Sequence, residues 1–80
     1  MTTYTTFTSE IRGNKFSVLV VTGKYNYISV SKLTNNPFRT LGREFSNYDE
    51  AVKAYKTPEM KSFLFQIETG LLTPTNSFIS

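Results

Sequence analysis

Residues 15–32, KFSVLVVTGKYNYISVSK, carry the clearest fold signal of the chain, because two strand patterns flank a short turn signal. Residues 15–22 place apolar side chains on both faces of a strand, which is typical of a central strand. In residues 24–32 the alternation assigns one face to Tyr25, Tyr27, Ser29 and Ser31 and the other to Asn26, Ile28, Val30 and Lys32. The glycine between them predicts a tight antiparallel hairpin.

Two weaker strand patterns flank this hairpin. Residues 3–11 are rich in threonine, which favours strands, and they end at a Gly-Asn turn signal. Residues 38–45 follow an Asn-Asn-Pro turn and predict a short strand in which Gly42 is a bulge or an exit point. We therefore expect three or four antiparallel strands in the first half of the chain.

The second half of the chain has a helical period. Ser46 or Asn47 can cap a first helix, and Thr57-Pro58 should end it and start a second. The apolar stripes of the two helices contain Tyr48, Ala51, Val52 and Tyr55, and then Met60, Phe63, Leu64 and Ile67. Gly70 is expected to stop the second helix.

These patterns predict an α+β fold with an N-terminal three- to four-stranded antiparallel sheet and two C-terminal helices packed on one of its faces. The helices need an aliphatic floor, for which Ile28 and Val30 are suited, so Tyr25 and Tyr27 are expected on the uncovered face. A slip of one residue in the register would reverse this assignment. We assign residues 1–72 to a single small α+β domain and residues 73–80 to a flexible C-terminal tail.

The composition removes most enzymatic chemistry from consideration. The chain has neither cysteine nor histidine, so the commonest general base and the commonest metal ligands are missing. We therefore expect a non-enzymatic protein with no metal and no cofactor. The longest apolar run is residues 18–21, far short of the roughly 20 residues of a membrane span, and no secretory signal is visible. We expect a cytoplasmic protein with no membrane partner.

Positive charge is concentrated in residues 12–43, whereas residues 44–70 have a slight negative excess. Such asymmetry indicates a polyanion-binding face, and aromatic rings among basic residues can stack on unpaired bases. The sequence therefore predicts a small nucleic-acid-binding module, for single or double strands. Its candidate contact residues are Arg12, Lys15, Lys24, Tyr25, Tyr27, Lys32, Arg39 and Arg43.

A family resemblance points the same way. GKYNYISV at 23–30 and FRTLGREFSNYDEAVKAYK at 38–56 resemble the DNA-binding domains of the ethylene-response-factor type and, more loosely, the arm-binding domains of phage integrases. The resemblance implies a sheet in the DNA major groove with a helix behind it. Arg12, Lys15, Lys24, Lys32 and Arg39 would then face DNA. The sequence has one residue too many between Gly42 and Phe45, and the family's tryptophan is a tyrosine here.

Two alternatives use the same residues differently. Tyrosine is a strong strand former, so Tyr25 and Tyr27 could instead pack against Leu19 or Val21 on a sheet face. The small size and the sheet face without an intrachain partner also fit a protein-interaction module, such as an inhibitor or adaptor of the phage or mobile-element type. Such a module could form a homodimer through the free face or an edge strand.

Overall fold

The computed structural model describes residues 1–33 and 42–80 and shows five strands and two helices. The strands are β1 (Thr3–Ile11), β2 (Asn14–Thr22), β3 (Tyr27–Leu33), β4 (Gly42–Phe45) and β5 (Asn76–Ile79), and the helices are α1 (Tyr48–Ala54) and α2 (Pro58–Glu68). The predicted α+β class is confirmed, and the sheet has five strands where three or four were predicted. The first part of the predicted strand at 38–45, and Arg39 within it, lie outside the described residues.

The strands form one antiparallel sheet in the order β4-β3-β2-β1-β5. β2 lies at its centre, as the apolar side chains on both of its faces predicted. The β2–β3 hairpin is confirmed, with residues 23–26 as its loop. Its register pairs Val18 with Val30 and Val20 with Ile28, so these side chains share one face.

Both helices pack on that face, which we call the covered face. The core joins its buried strand residues to Met60, Phe63, Leu64 and Ile67 of α2 and to Ala51 of α1. Val18 and Leu64 are completely buried, and Ile28 and Val30 are 3% and 2% exposed. The prediction that Ile28 and Val30 point toward the helices is therefore confirmed, and with it the register of β3.

The helix boundaries follow local signals in the sequence. Asn47 caps α1 by accepting a hydrogen bond from the Glu50 amide at 2.9 Å. Pro58 stands in the first turn of α2, where its missing amide costs nothing. Gly70 has a φ of 75°, and its amide donates to the carbonyl of Ile67 at 3.2 Å. Neither helix in the described part of the chain combines the length and apolar character needed to cross a membrane.

The end of the chain corrects one expectation. The sequence predicts a flexible tail for residues 73–80, but Asn76–Ile79 form β5, which pairs antiparallel with β1. Ser80 and Thr2 exchange both backbone hydrogen bonds, at 2.8 and 2.9 Å. This strand has no clear signal in the sequence, because four residues carry little periodicity and their stabilisation comes from a partner at the other end of the chain.

Candidate interaction surface on the open sheet face

The side of the sheet opposite the helices, which we call the open face, is built from the alternate residues of all five strands. The strand registers arrange these residues in rows that cross the sheet. The rows are Phe78–Tyr4–Val21–Tyr27, then Asn76–Thr6–Leu19–Ser29–Glu44, then Thr8–Ser17–Ser31–Gly42, and finally Glu10–Lys15–Leu33.

The first of these rows, the aromatic row, is an apolar cluster of its own. The rings of Tyr4 and Phe78 stack with centroids 4.8 Å apart and planes 15° apart. Val21 lies between Tyr4 and Tyr27 and is only 3% exposed, although it does not belong to the core under the helices. Tyr27 is half-buried beside it, while Phe78 remains 53% exposed. The aromatic row therefore combines a buried residue, Val21, with an exposed aromatic ring, that of Phe78.

The middle of the open face presents hydroxyl groups. Ser17 and Ser31 are cross-strand neighbours, and the hydroxyls of Thr8 and Thr75 are 2.9 Å apart. A Cβ atom at Gly42 would lie 3.0 Å from the Ser31 hydroxyl and 3.3 Å from that of Ser29. The glycine at this position therefore leaves these two hydroxyls uncovered. They are available as hydrogen-bond donors or acceptors.

Charged side chains on the described part of the open face are Glu10, Lys15 and Glu44. Lys15 stands directly opposite Glu10 on β1 and opposite Leu33 on β3. Glu44 lies on the edge strand β4. The described part of the open face is therefore mostly uncharged, and Lys15 is the predicted contact cation that lies on it.

The predicted basic contact residues are distributed over different parts of the molecule. Lys32 and Arg43 lie on the covered face, opposite Phe16 and Val30 respectively. The Arg12 guanidinium lies in the β1–β2 turn and forms a 3.1 Å ion pair with Glu59 of α2. This turn is at the opposite end of the sheet from the β2–β3 loop. Arg39 lies outside the described residues.

Arg43 is held by two aromatic rings beside the helices. Its guanidinium carbon lies 5.4 Å from the Phe45 ring centroid and 5.7 Å from that of Tyr55, a spacing typical of cation–π contacts. Burial raises the pKa of the Tyr55 hydroxyl above its ordinary value, while Arg43 acts in the opposite direction. Burial, helped by Glu68, also raises the pKa of Tyr48. The two ring contacts of the Arg43 guanidinium, with Phe45 and Tyr55, give Arg43 a packing role.

The β2–β3 loop brings Lys24 and Tyr25 together next to the aromatic row. The Lys24 ammonium lies 5.7 Å from the Tyr25 ring centroid, and Tyr25 is 72% exposed. The loop is closed by Asn26, whose side-chain oxygen accepts a 2.8 Å hydrogen bond from the Gly23 amide. Tyr25 therefore belongs to the loop, whereas Tyr27 is the first residue of β3. Of the predicted site residues, Lys15 and Tyr27 lie on the open face. Lys24 and Tyr25 lie next to it in the β2–β3 loop.

Sequence reasoning did not single out Tyr4 and Phe78 as surface residues. Tyr4 lies in a threonine-rich segment without a clear apolar face, and Phe78 lies in the segment expected to be a tail. The spacing of Tyr4 and Phe7 was the available signal for Tyr4, because residues three apart on a strand lie on opposite faces. Phe78 offered no such signal, because its position depends on pairing with a strand more than 70 residues earlier.

A shallow groove of about 410 Å³ lies between β1 and α2. Its lining includes Glu10, Glu59 and Ser62, and Glu59 already forms the ion pair with Arg12. No cluster of three or more metal-ligating side chains of the His, Cys, Asp or Glu type occurs within residues 1–33 and 42–80. The groove therefore presents separate polar groups, and we assign no chemistry to it.

A scan against protein-family models and searches of curated proteins and of solved structures gave no significant match to this chain.

Proposed function

We propose that this chain is a non-enzymatic protein-interaction module that binds a largely uncharged protein surface through its open face. The observation that carries the proposal is the aromatic row, which lies on a sheet face that no helix of the described chain covers. Leu19 extends this apolar surface to the next row, and serine and threonine hydroxyls surround it.

The composition of the open face matches the central part of a protein–protein interface. Such regions are enriched in aromatic residues and depleted of charge, with hydrogen-bonding groups around them. A nucleic acid would instead require several cations aligned on one surface, since phosphate neutralisation supplies most of the affinity. Lys15 is the cation that the described open face contributes, and Glu10 stands next to it. Charge complementarity thus favours a protein partner.

Replacing Leu19 with lysine tests this proposal, because it places a charge in the middle of the open face. We expect binding to a partner to weaken at least about tenfold, since an unpaired charge in an interface is costly. Lysine can extend its ammonium into water, so the unbound fold should persist. Phe65→Lys is the matched control, because Phe65 is 59% exposed on α2 and away from the open face.

The measurement is retention of proteins from a nuclease-treated cell lysate on each immobilised variant, with circular dichroism to check folding. The proposal expects the same proteins on the wild type and on Phe65→Lys, and their loss from Leu19→Lys. Equal retention by Leu19→Lys, or no protein retained by the wild type, would contradict it.

A second candidate function rests on Lys24 and Tyr25. An exposed aromatic ring next to an ammonium group suits stacking on an unpaired base beside a phosphate, so this loop is a candidate contact for single-stranded nucleic acid. The DNA contacts implied by the family resemblance remain a prediction. They receive less support from the distribution of charge, because Lys32 and Arg43 lie on the covered face.

Substitution of Tyr25 with alanine tests this second candidate. If the ring stacks on a base, affinity for a labelled single-stranded oligonucleotide should fall about tenfold or more, whereas Tyr25→Phe should retain it. Fluorescence anisotropy at about 50 and 200 mM salt would measure both the affinity and its decrease with salt. Absence of binding at the lower salt concentration would exclude this function.

A further inference from the structure

The edge strand β5 lacks the features that usually keep sheet edges from pairing. All four of its residues are exposed, with Phe78 at 53% and Ile79 at 63%, and none of them is charged. Natural edge strands are commonly protected by charged side chains, by proline or by a bulge. The other edge strand, β4, does carry charges, at Arg43 and Glu44. β5 is therefore the edge that is open to pairing.

The backbone hydrogen bonds of β5 show which of its groups are free. Thr2 and Ser80 exchange both bonds, and in an antiparallel ladder such pairs alternate with pairs that exchange none. Tyr4 and Phe78 are therefore the next bonded pair along the register. It follows that the backbone groups of Phe78 point toward β1, whereas those of Ser77 and Ile79 point away from the sheet.

We propose that two copies of this chain pair through their β5 strands, antiparallel about a two-fold axis at Phe78. In this register Ser77 of each copy lies opposite Ile79 of the other. Each such pair forms two backbone hydrogen bonds from amide and carbonyl groups that are free in the monomer. The five strands of each copy then form one continuous sheet. The partner of this edge is a second copy of the chain, because the strand is complementary to itself.

The alternative register centred on Ser77 is less favourable. It would place Ile79 opposite Thr75 of the other copy, but the Thr75 amide already donates to the Thr6 carbonyl at 2.7 Å. The register centred on Phe78 uses groups that are free in the monomer. The observed geometry of the β1–β5 ladder thus favours the register centred on Phe78 over the one centred on Ser77.

The same register also places apolar side chains against each other. The two copies of Phe78 form a pair that exchanges no backbone bonds, in which Cα atoms are about 4.5 Å apart and side chains are closest. Phe78 already stacks on Tyr4 within each copy, so the aromatic row continues across the two-fold axis. Because the strand carries no charge, pairing it with itself brings no like charges together.

This inference concerns the sheet edge and can hold or fail separately from the proposed function of the open face. A two-fold axis perpendicular to the sheet keeps the helices of both copies on one side. The two open faces then form one larger surface on the other side. A monomer that still binds a partner through Leu19 would overturn the self-pairing and leave the proposed function intact.

The first experiment measures self-association of the purified chain by sedimentation equilibrium with Ser77→Pro and Ser77→Ala variants. Proline removes an amide that bonds to nothing within β1 and is tolerated at such edge positions, so folding should persist. Each dimer then loses two hydrogen bonds, because the Ser77 amide of either copy donates to Ile79 of the other. We expect the dimer dissociation constant to rise roughly 10- to 30-fold. Ser77→Ala retains the amide and should associate like the wild type.

A monomeric wild type at millimolar concentration, or unchanged association of Ser77→Pro, would overturn the proposal. A second experiment uses the absence of cysteine in the chain. Cα atoms about 4.5 Å apart can be bridged by a disulfide, so Phe78→Cys should form covalent dimers under mild oxidation. Phe65→Cys, at an exposed position on α2, should form them at least about tenfold more slowly. Equal rates for the two variants would also contradict the pairing.

Discussion

Replacing Leu64 with alanine is expected to lower the free energy of unfolding by about 3–4 kcal/mol. Leu64 is completely buried and lies in the core formed by α2 and the covered face of the sheet. The loss combines the transfer free energy of the removed methyl and methylene groups with the cost of the cavity that they leave. A domain of this size is stabilised by only about 5–10 kcal/mol, so the variant should approach the limit of stability.

Urea denaturation followed by circular dichroism measures this effect, and the neighbouring residue offers the control. Phe65 is 59% exposed on the outer side of the same helix, so Phe65→Ala should change stability by less than about 1 kcal/mol. Both substitutions lie on α2, but Leu64 is buried in the core whereas Phe65 is exposed. A similar small change for Leu64→Ala would show that α2 does not pack on the sheet.

Substitution of Gly23 with alanine is expected to lower the free energy of unfolding by about 3 kcal/mol. Gly23 has a φ of 156°, in a region that side chains other than glycine rarely adopt. A Cβ atom there would lie 2.9 Å from the Met1 carbonyl oxygen and 3.0 Å from the Thr2 Cα atom. Both are backbone atoms, so the strain of the dihedral angle adds to a contact that only a shift of the chain can relieve.

Gly13 provides the matched control for this substitution, because it occupies the other hairpin loop. Its φ is 79°, but a Cβ atom there would meet no atom within 4 Å. Gly13→Ala should therefore cost only the conformational strain, about 1 kcal/mol. Thermal or urea unfolding of both variants measures the difference, which we attribute to the contact with the first residues of the chain. Equal losses would refute the steric part of this explanation.

The Gly23 contact also fixes the position of the β2–β3 loop. The loop packs against Met1 and Thr2 at the end of the sheet where the aromatic row lies. Displacement of the loop should therefore move the side chains of Lys24 and Tyr25 together. This couples the stability of the hairpin to the second candidate function, whereas the open-face contacts around Leu19 lie one row further from the loop.

Local chemistry explains why the strands of the hairpin and the helices could be predicted. The alternation around Ile28 and Val30 specifies which side of β3 is buried, since a strand repeats every two residues. Asn47 accepts a hydrogen bond from the amide of Glu50, three residues later. Pro58 lacks an amide at the start of α2, where none is needed. None of these signals needs information from a distant part of the chain.

The candidate site was predicted less well because charge patterns along a chain do not specify faces. The basic residues between 12 and 43 are close in sequence, but alternation separates Lys15 from Lys32 onto opposite faces. Arg12 forms its ion pair with Glu59, a residue of a helix that is distant in sequence. Tyr27 was correctly predicted on the open face, and Tyr25 belongs to the loop.

Short-range periodicity, capping and turn chemistry in the sequence were enough to specify the β2–β3 hairpin, the boundaries of the helices and the buried side of β3. The position of β5 beside β1, the aromatic row that this pairing completes and the distribution of the described cations became clear only from the folded structure. These features depend on contacts between distant segments, whose hydrogen bonds and apolar contacts outweigh weak local preferences. The free edge of β5 and the low charge of the described part of the open face both follow from that arrangement.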